Sequence, residues 1–255
     1  MISLSPLTHA LLALTALGAG FIDAIAGGGG VLTVPALLAA GLPPQLALGT
    51  NKGQSVFGSA TSLARYARSP LLDRRQARFT FPLAFVGSLL GARGVLWMNP
   101  ALLRPVVIAL LMFVAVFLAV RRDPGPGAPR IARGRRGVIA AAALGIGAYD
   151  GFFGPGTGTF LIALFVAVLG KPLDAASADA KAVNFASNLA AVLLFASSGV
   201  IVWSVALPMA AAQVVGAWLG AHVTVRGGVK VVRPAVLAVV AVLIVKLVHD
   251  VIAAR

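Results

Sequence analysis

The sequence predicts an all-α polytopic membrane protein made of two inverted-topology repeats, each with about four to five membrane segments, some of them broken or re-entrant. Composition, an internal repeat and the placement of charge each point there. Hydrophobic residues make up 59% of the chain, charged residues 11%, and mean hydropathy is +0.97. Soluble domains carry roughly 45–50% apolar and about 25% charged residues. Successive apolar runs also approach or exceed the roughly 18–20 residues that cross a hydrocarbon core.

The repeat is legible in glycines and charges. Sliding the chain along itself until Gly18 meets Gly145 also lays Gly20, Asp23, Gly27 and Gly29 on Gly147, Asp150, Gly154 and Gly156. Past a short insertion the second half stays in step, and Gly41, Pro43, Ala47 and Lys52 fall on Gly170, Pro172, Ala176 and Lys181. The match continues through Gly87 and Gly91 on Gly216 and Gly220, then Arg104-Pro105 on Arg233-Pro234. A chance pairing seldom keeps one offset for so long.

The net charge of +14 sits in loops. Eleven of the 16 arginines fall within 65–78 and 121–136, flanked by apolar spans. That is the positive-inside pattern, not a basic face for nucleic acid, so no nucleic-acid partner is expected. The loop at 65–78 is basic, whereas its repeat partner at 198–206 is uncharged; residues 99–104 carry only Arg104, whereas their partner carries Arg226, Lys230 and Arg233. Equivalent loops of opposite bias imply halves inserted in opposite senses. The linker then lies in the cytoplasm and both termini outside.

Taken in order, residues 7–26 form an apolar helix that should break at four consecutive glycines, 27–30. Residues 31–40 are too short to cross, and Gly41-Leu-Pro-Pro44 stops them. Polar groups from Thr50 to Ser55 precede an apolar stretch to Tyr66, with Ser55, Ser59 and Ser62 on one inward face if helical. A span follows at 79–98, with Gly87 and Gly91 at close-packing spacing. Asn99-Pro100 turns the chain into a span at 105–120, and the Pro-, Gly- and Arg-rich stretch 121–136 links the repeats. The second half reads as a span at 137–153, a short piece at 157–169, a polar connection at 171–179, a stretch from 182 to 225 without acid, Lys or Arg, and a last span at 234–252. The N-terminal stretch ahead of Phe21 contains no Lys or Arg and so lacks the basic start of a signal peptide. It reads as part of the first membrane segment. Trp97 and Trp203, near span ends, fit an aromatic belt.

Several chemistries are excluded. All seven acids are Asp, and without Cys there are no disulfides, thiolates or Cys-based metal sites. His9, His222 and His249 are scattered without metal-ligand spacing, so no metal and no cofactor is expected. Residues 27–30 lack the Gly-Lys-Ser/Thr ending of a phosphate loop, and nothing points to ATP use.

The remaining polar groups are the site candidates. Asp23 and Asp150 lie in apolar surroundings, where a carboxylate is costly and by default functional; capping a broken helix or being held by a Lys is the structural alternative. If desolvated, each can carry a proton. Lys52 and Lys181 occupy equivalent positions beside the breaks, where a cation together with free backbone amides at Gly28, Gly29 and Gly156 makes an anion site. Snorkelling at a helix end is the alternative for the lysines. Thr50, Asn51, Thr157, Asn184 and Asn188 offer hydrogen bonds to an anion, as do Ser55 and Ser187, although interhelical packing accounts for such groups equally well.

The chain resembles the sulfite exporter TauE/SafE family of bacterial membrane permeases. The likeness rests on Gly-Phe-Ile-Asp23 with Gly27 to Gly30 and Val34-Pro35, on Ala47-Leu-Gly-Thr50-Asn51-Lys52, on Tyr149-Asp150-Gly-Phe-Phe-Gly154-Pro-Gly156-Thr157-Gly158-Thr159, and on Ala178-Asp-Ala-Lys181-Ala-Val-Asn184-Phe-Ala-Ser-Asn188. It implies a multi-pass carrier of the bacterial inner membrane for small anions such as sulfite, sulfonates and related organosulfur compounds.

The expectation is therefore one transporter domain over 1–255, with repeat one at 1–120, a cytoplasmic linker at 121–136 and repeat two at 137–255. A small anionic substrate would sit at Lys52 and Lys181, with Asp23 or Asp150 as the proton-coupling group. Membrane lipid is the other partner, and a homo-oligomer is allowed for. Two rivals stand beside it: an intramembrane aspartyl enzyme using Asp23 and Asp150 as a proton-sharing dyad, and an anion channel.

Overall fold

The computed structural model describes residues 4–120 and 135–227. Most of the expected linker, the span at 234–252 and His249 lie outside the described residues. Among the described residues the chain forms nine helices and no strand: α1 (Pro6–Ala26), α2 (Gly30–Ala39), α3 (Pro44–Tyr66), α4 (Arg74–Trp97), α5 (Pro100–Val120), α6 (Arg135–Phe152), α7 (Thr157–Leu169), α8 (Leu173–Ser197) and α9 (Trp203–Gly227).

Local sequence sets the boundaries. Ser5 caps α1 by accepting from the Thr8 amide at 3.1 Å, with Pro6 in the first turn, where its missing N–H costs nothing. The helix ends at Gly27, whose φ of 75° is a left-handed conformation that other residues resist. The short α2 follows the glycine run and stops before Gly41, as expected. α4 starts at Arg74 rather than 79, because the Asp73 carboxylate accepts from the Arg75 and Gln76 amides at 3.1 and 3.0 Å. Chiefly the Gln76 bond holds the Asp73 carboxyl below the usual range, with partial burial opposing it and Lys171 assisting. α5 starts at Pro100 rather than 105, because Asn99 Oδ1 accepts from the Ala101 amide at 2.9 Å. The expected polar connection at 171–179 is corrected. Helix α8 begins at Leu173, after Pro172, with Asp174 in its first turn, where the helix dipole favours an acid.

The helices pack through small residues. A Cβ at Gly216 would run into the Leu17 carbonyl, and one at Gly220 into that of Phe21; at Gly87 it would meet the Leu144 carbonyl, and at Gly91 that of Ala148. These contacts advance together along the chain, so α1 runs parallel to α9, and α4 parallel to α6. α2 folds back beside α1, where Leu37 and Leu42 cluster with Leu12 and Ala16. α3 then runs parallel to α1, its last residue, Tyr66, donating to the Ala24 carbonyl at 2.8 Å. α3 and α8 cross the centre, antiparallel: Ser177 at the start of α8 donates to the Ile25 carbonyl at 2.7 Å, whereas Gly49 near the start of α3 abuts Val200, just past the end of α8.

α1, α4, α8 and α9 are each long and apolar enough to cross a membrane. Their outward sides carry large exposed apolar residues, among them Leu7, Leu11 and Leu14 on α1, Val86 and Leu90 on α4, and Leu207, Val215 and Trp218 on α9. So much exposed apolar surface suits hydrocarbon. Trp97 and Trp203 stand exposed at helix ends, as an aromatic belt requires. His222 stacks on Trp218, and His9 bonds the Ser5 carbonyl at a helix start.

Candidate functional site

The two glycine breaks meet. Gly27 lies against the backbone of Gly158, Gly30 against Pro155, and Thr159 donates to the Ala26 carbonyl at 2.8 Å. A side chain at Gly27 or Gly158 would drive the interrupted helices apart, which is a direct physical reason for glycine there. Around this junction α1, α3, α6 and α8 bring their polar residues together.

Two buried ion pairs cross between the halves. Lys52 of α3 meets Asp150 of α6 at 2.9 Å, with side chains 3% and 2% exposed. Lys181 of α8 meets Asp23 of α1 at 2.7 Å, with side chains 0% and 14% exposed. Each lysine thus pairs with the acid of the opposite half. Snorkelling is ruled out for both, since a buried ammonium bound to a carboxylate does not reach the interface. Each acid is held by a Lys, the structural alternative raised above, and Asp23 also accepts from the Gly29 amide at 3.4 Å.

Further bonds tie the site down. Lys52 also donates to Asn188 Oδ1 at 2.9 Å, and Ser187 donates to both Asp150 and the Asn184 carbonyl. Thr33 of α2 donates to Asn51 Oδ1 at 2.5 Å, and Gln54 donates to the same oxygen at 3.1 Å. The Asn184 Oδ1 is buried without a hydrogen-bond partner.

These groups enclose a cavity of about 20 Å³ lined by Asp23, Gly27, Gly30, Asn51, Lys52, Ser55, Asp150, Gly154, Asn184 and Asn188. That is room for about one water. The sequence therefore named seven of these lining residues as candidates, Ser55 among them. Lys181 stands behind Asp23 rather than on the wall. Thr50 lies elsewhere, accepting from the Val202 amide at 3.0 Å, and Thr157 donates to the Gly154 carbonyl at 2.7 Å. Gly28, Gly29 and Gly156 do not line the cavity, whereas Gly27, Gly30 and Gly154 do. Sequence reasoning raised a lysine as the holder of each acid but did not say which lysine, or that each pair crosses between the halves. The repeat carried part of that signal, because Lys52 and Lys181, like Asp23 and Asp150, occupy equivalent positions, so that one crossed pair suggests the other.

Outside the cavity, Lys171 bonds both Asp73 and the buried Asp179, and Asp179 accepts from the Asp73 amide at 2.9 Å. This ties the start of α4 to the connection between α7 and α8.

Lipid-facing helices, two of them interrupted, with buried charges where the interruptions meet, define a multi-pass membrane transporter. The chain belongs to the family described as Sulfite exporter TauE/SafE, which matches residues 12–247. It is 37% identical over 248 residues to the probable membrane transporter protein YfcA of Escherichia coli strain K12, covering 96% of this chain and 91% of that one. A probable membrane transporter protein of Haemophilus influenzae is 37% identical over 234 residues, covering 91% of each chain. The probable membrane transporter protein ORF9 of a Sinorhizobium species is 35% identical over 242 residues, covering 94% of this chain and 92% of that one. No solved structure gives a significant match. The protein is thus a multi-pass transporter of the bacterial membrane and not an enzyme, and each carboxylate of the supposed aspartyl dyad is bonded to a lysine.

Proposed function

We propose that this protein is a proton-coupled secondary transporter of small anions, sulfite, sulfonates or related organosulfur compounds, working by alternating access between two inverted repeats, 1–120 and 137–255. The observation that carries the reading is the crossed arrangement of the two ion pairs, Lys52 with Asp150 and Lys181 with Asp23, around one small cavity. Each pair bridges the halves, so parting the halves on either side must strain or break a pair. The directions of α1, α3, α4, α6, α8 and α9 support opposed insertion of the halves, in agreement with the loop charges. The family's description supports a sulfur oxyanion.

Charge balance explains the coupling. Two ammoniums and two carboxylates sum to zero, so a bound monoanion leaves the buried site one negative charge in excess. Burying an uncompensated charge is costly. A proton on one carboxylate removes the excess and frees a lysine to face the anion, so proton and anion bind best together. Room for about one water is too little for an oxyanion of four heavy atoms. The helices therefore separate to admit it, and the glycine breaks are where they can do so without dragging side chains past one another.

The test is uptake of labelled sulfite into proteoliposomes, with and without a pH gradient, against sulfoacetate, thiosulfate, sulfate and acetate as competitors. Saturable, gradient-driven uptake with counterflow is expected. Conductance without counterflow would make the protein a channel, and no uptake or competition under any gradient would overturn the sulfur-oxyanion assignment.

A further inference from the structure

The two ion pairs are equivalent in the repeat but not in their surroundings. Asp150 is clamped: besides Lys52 it takes the Ser187 hydroxyl, while Lys52 is held in turn by Asn188. In the register that lays Lys52 on Lys181, the counterpart of Ser187 is Gly58, which has no hydroxyl to give. The space beside Gly58 is taken by the Gln213 side chain. Asp23 therefore has one short bond, to Lys181, and one long one, to the Gly29 amide at 3.4 Å. Of the two acids it is the more exposed, 14% against 2%. Position differs too: Asp23 lines the cavity with its lysine behind it, whereas Lys52 and Asp150 both line it.

From these differences we infer that the pairs divide the work: Asp23 carries the coupled proton, and Lys52, oriented by Asp150 and Asn188, holds the anion. This rests on the transport reading above. The proton adds to the Asp23 carboxylate, Lys181 keeps its own, and the neutral acid lets go of the ammonium. The released Lys181 charge then faces the anion through the cavity wall. Asp150 keeps both of its partners, the Lys52 ammonium and the Ser187 hydroxyl. The groups around Asp23 allow this. α8 contributes Lys181, α3 contributes Lys52 and Tyr66, and α6 contributes Asp150. α2 and α7 carry no ionisable residue, and α9 presents Gly216, Ala217, Gly220 and Ala221.

The experiment measures labelled sulfite and proton flux together, with a pH dye inside proteoliposomes, for wild type, Asp23→Asn, Asp23→Glu, Asp150→Asn and Ser187→Ala. Asp23→Asn should still exchange sulfite but lose gradient-driven accumulation and bring proton movement per anion at least tenfold below wild type. Asp23→Glu should restore both. Asp150→Asn and Ser187→Ala should weaken sulfite binding, tenfold or more for the former, at an unchanged proton-to-anion ratio. A purely structural Asp23 would lower both fluxes in proportion and leave the ratio alone, which would overturn the inference. So would uncoupling by Asp150→Asn with coupling intact in Asp23→Asn. If Asp150→Asn does not fold, Ser187→Ala decides the same point. A wild type that moves no sulfite overturns the transport reading itself, and this inference with it. A coupled wild type with a coupled Asp23→Asn overturns only the inference.

Discussion

Removing the Lys52 ammonium is the perturbation whose cost follows most directly from the geometry. At 2.9 Å and with both side chains almost wholly buried, two unit charges attract by about 6 kcal/mol at an effective dielectric of about 20. Desolvation cancels much of this in the intact pair, but removing one partner leaves the other charge buried alone, at about 3–5 kcal/mol. Lys52→Met should therefore lower the melting temperature by about 6–20 °C, taking about 2–4 °C per kcal/mol for a chain of this size. Asp150→Asn alone strands the ammonium in the same way, although Asn188 still accepts from it. The double variant Lys52→Met with Asp150→Asn strands neither charge, so its loss should be smaller than the sum of the singles by about 2–3 kcal/mol. The assay is thermal unfolding of the four purified proteins in one detergent at pH 7, followed by circular dichroism. Losses that simply add, to within the roughly 0.5 kcal/mol expected of independent sites, would refute a stabilising contact between the two residues.

Other perturbations follow from packing and caps. Gly91→Ala pushes a methyl group into the Ala148 carbonyl and should cost about 1–3 kcal/mol, whereas Gly145→Ala on α6 meets nothing and should gain about 0.5–1 kcal/mol; paired thermal melts check the opposite signs. Lys171→Ala leaves the buried Asp179 with only the Asp73 amide and should cost about 1–3 kcal/mol by the same measurement. Asp73→Ala removes the cap of α4, at about 0.5–2 kcal/mol. Because the folded Asp73 carboxyl titrates below its unfolded value, its contribution is present above about pH 4 and fades as pH falls through the lowered value. The wild type and variant should therefore converge in acid.

Element order and the helix breaks were legible because glycine and proline act locally. Residues 157–169 and the stop at Gly41-Leu-Pro-Pro44 could be read directly, and α1 to within a residue. The early starts of α4 and α5 were less legible, since each depends on a side chain, Asp73 or Asn99, bonding the next turn. The polar stretch 171–179 looked like a loop because Lys171 and Asp179 are charged, yet they bond each other and Asp73 beneath a helix end. In the site, residue types were readable but partners were not. Lys52 and Asp150 belong to different halves of the chain, and only the crossing of the halves brings them to 2.9 Å. The inequality of Asp23 and Asp150 is visible in the sequence as Gly58 against Ser187, but it has meaning only once Ser187 is known to bond Asp150.

The most direct test of the central claim is equilibrium binding of labelled sulfite to the purified protein, comparing wild type, Lys52→Met and an Arg104→Gln control on the exposed surface. Saturable binding that weakens at least tenfold in Lys52→Met, the loss of about 1.4 kcal/mol of charge-assisted contact, and is unchanged in Arg104→Gln is the result this account predicts. Equal affinity in wild type and Lys52→Met would contradict it by removing the crossed ion pairs from the anion site.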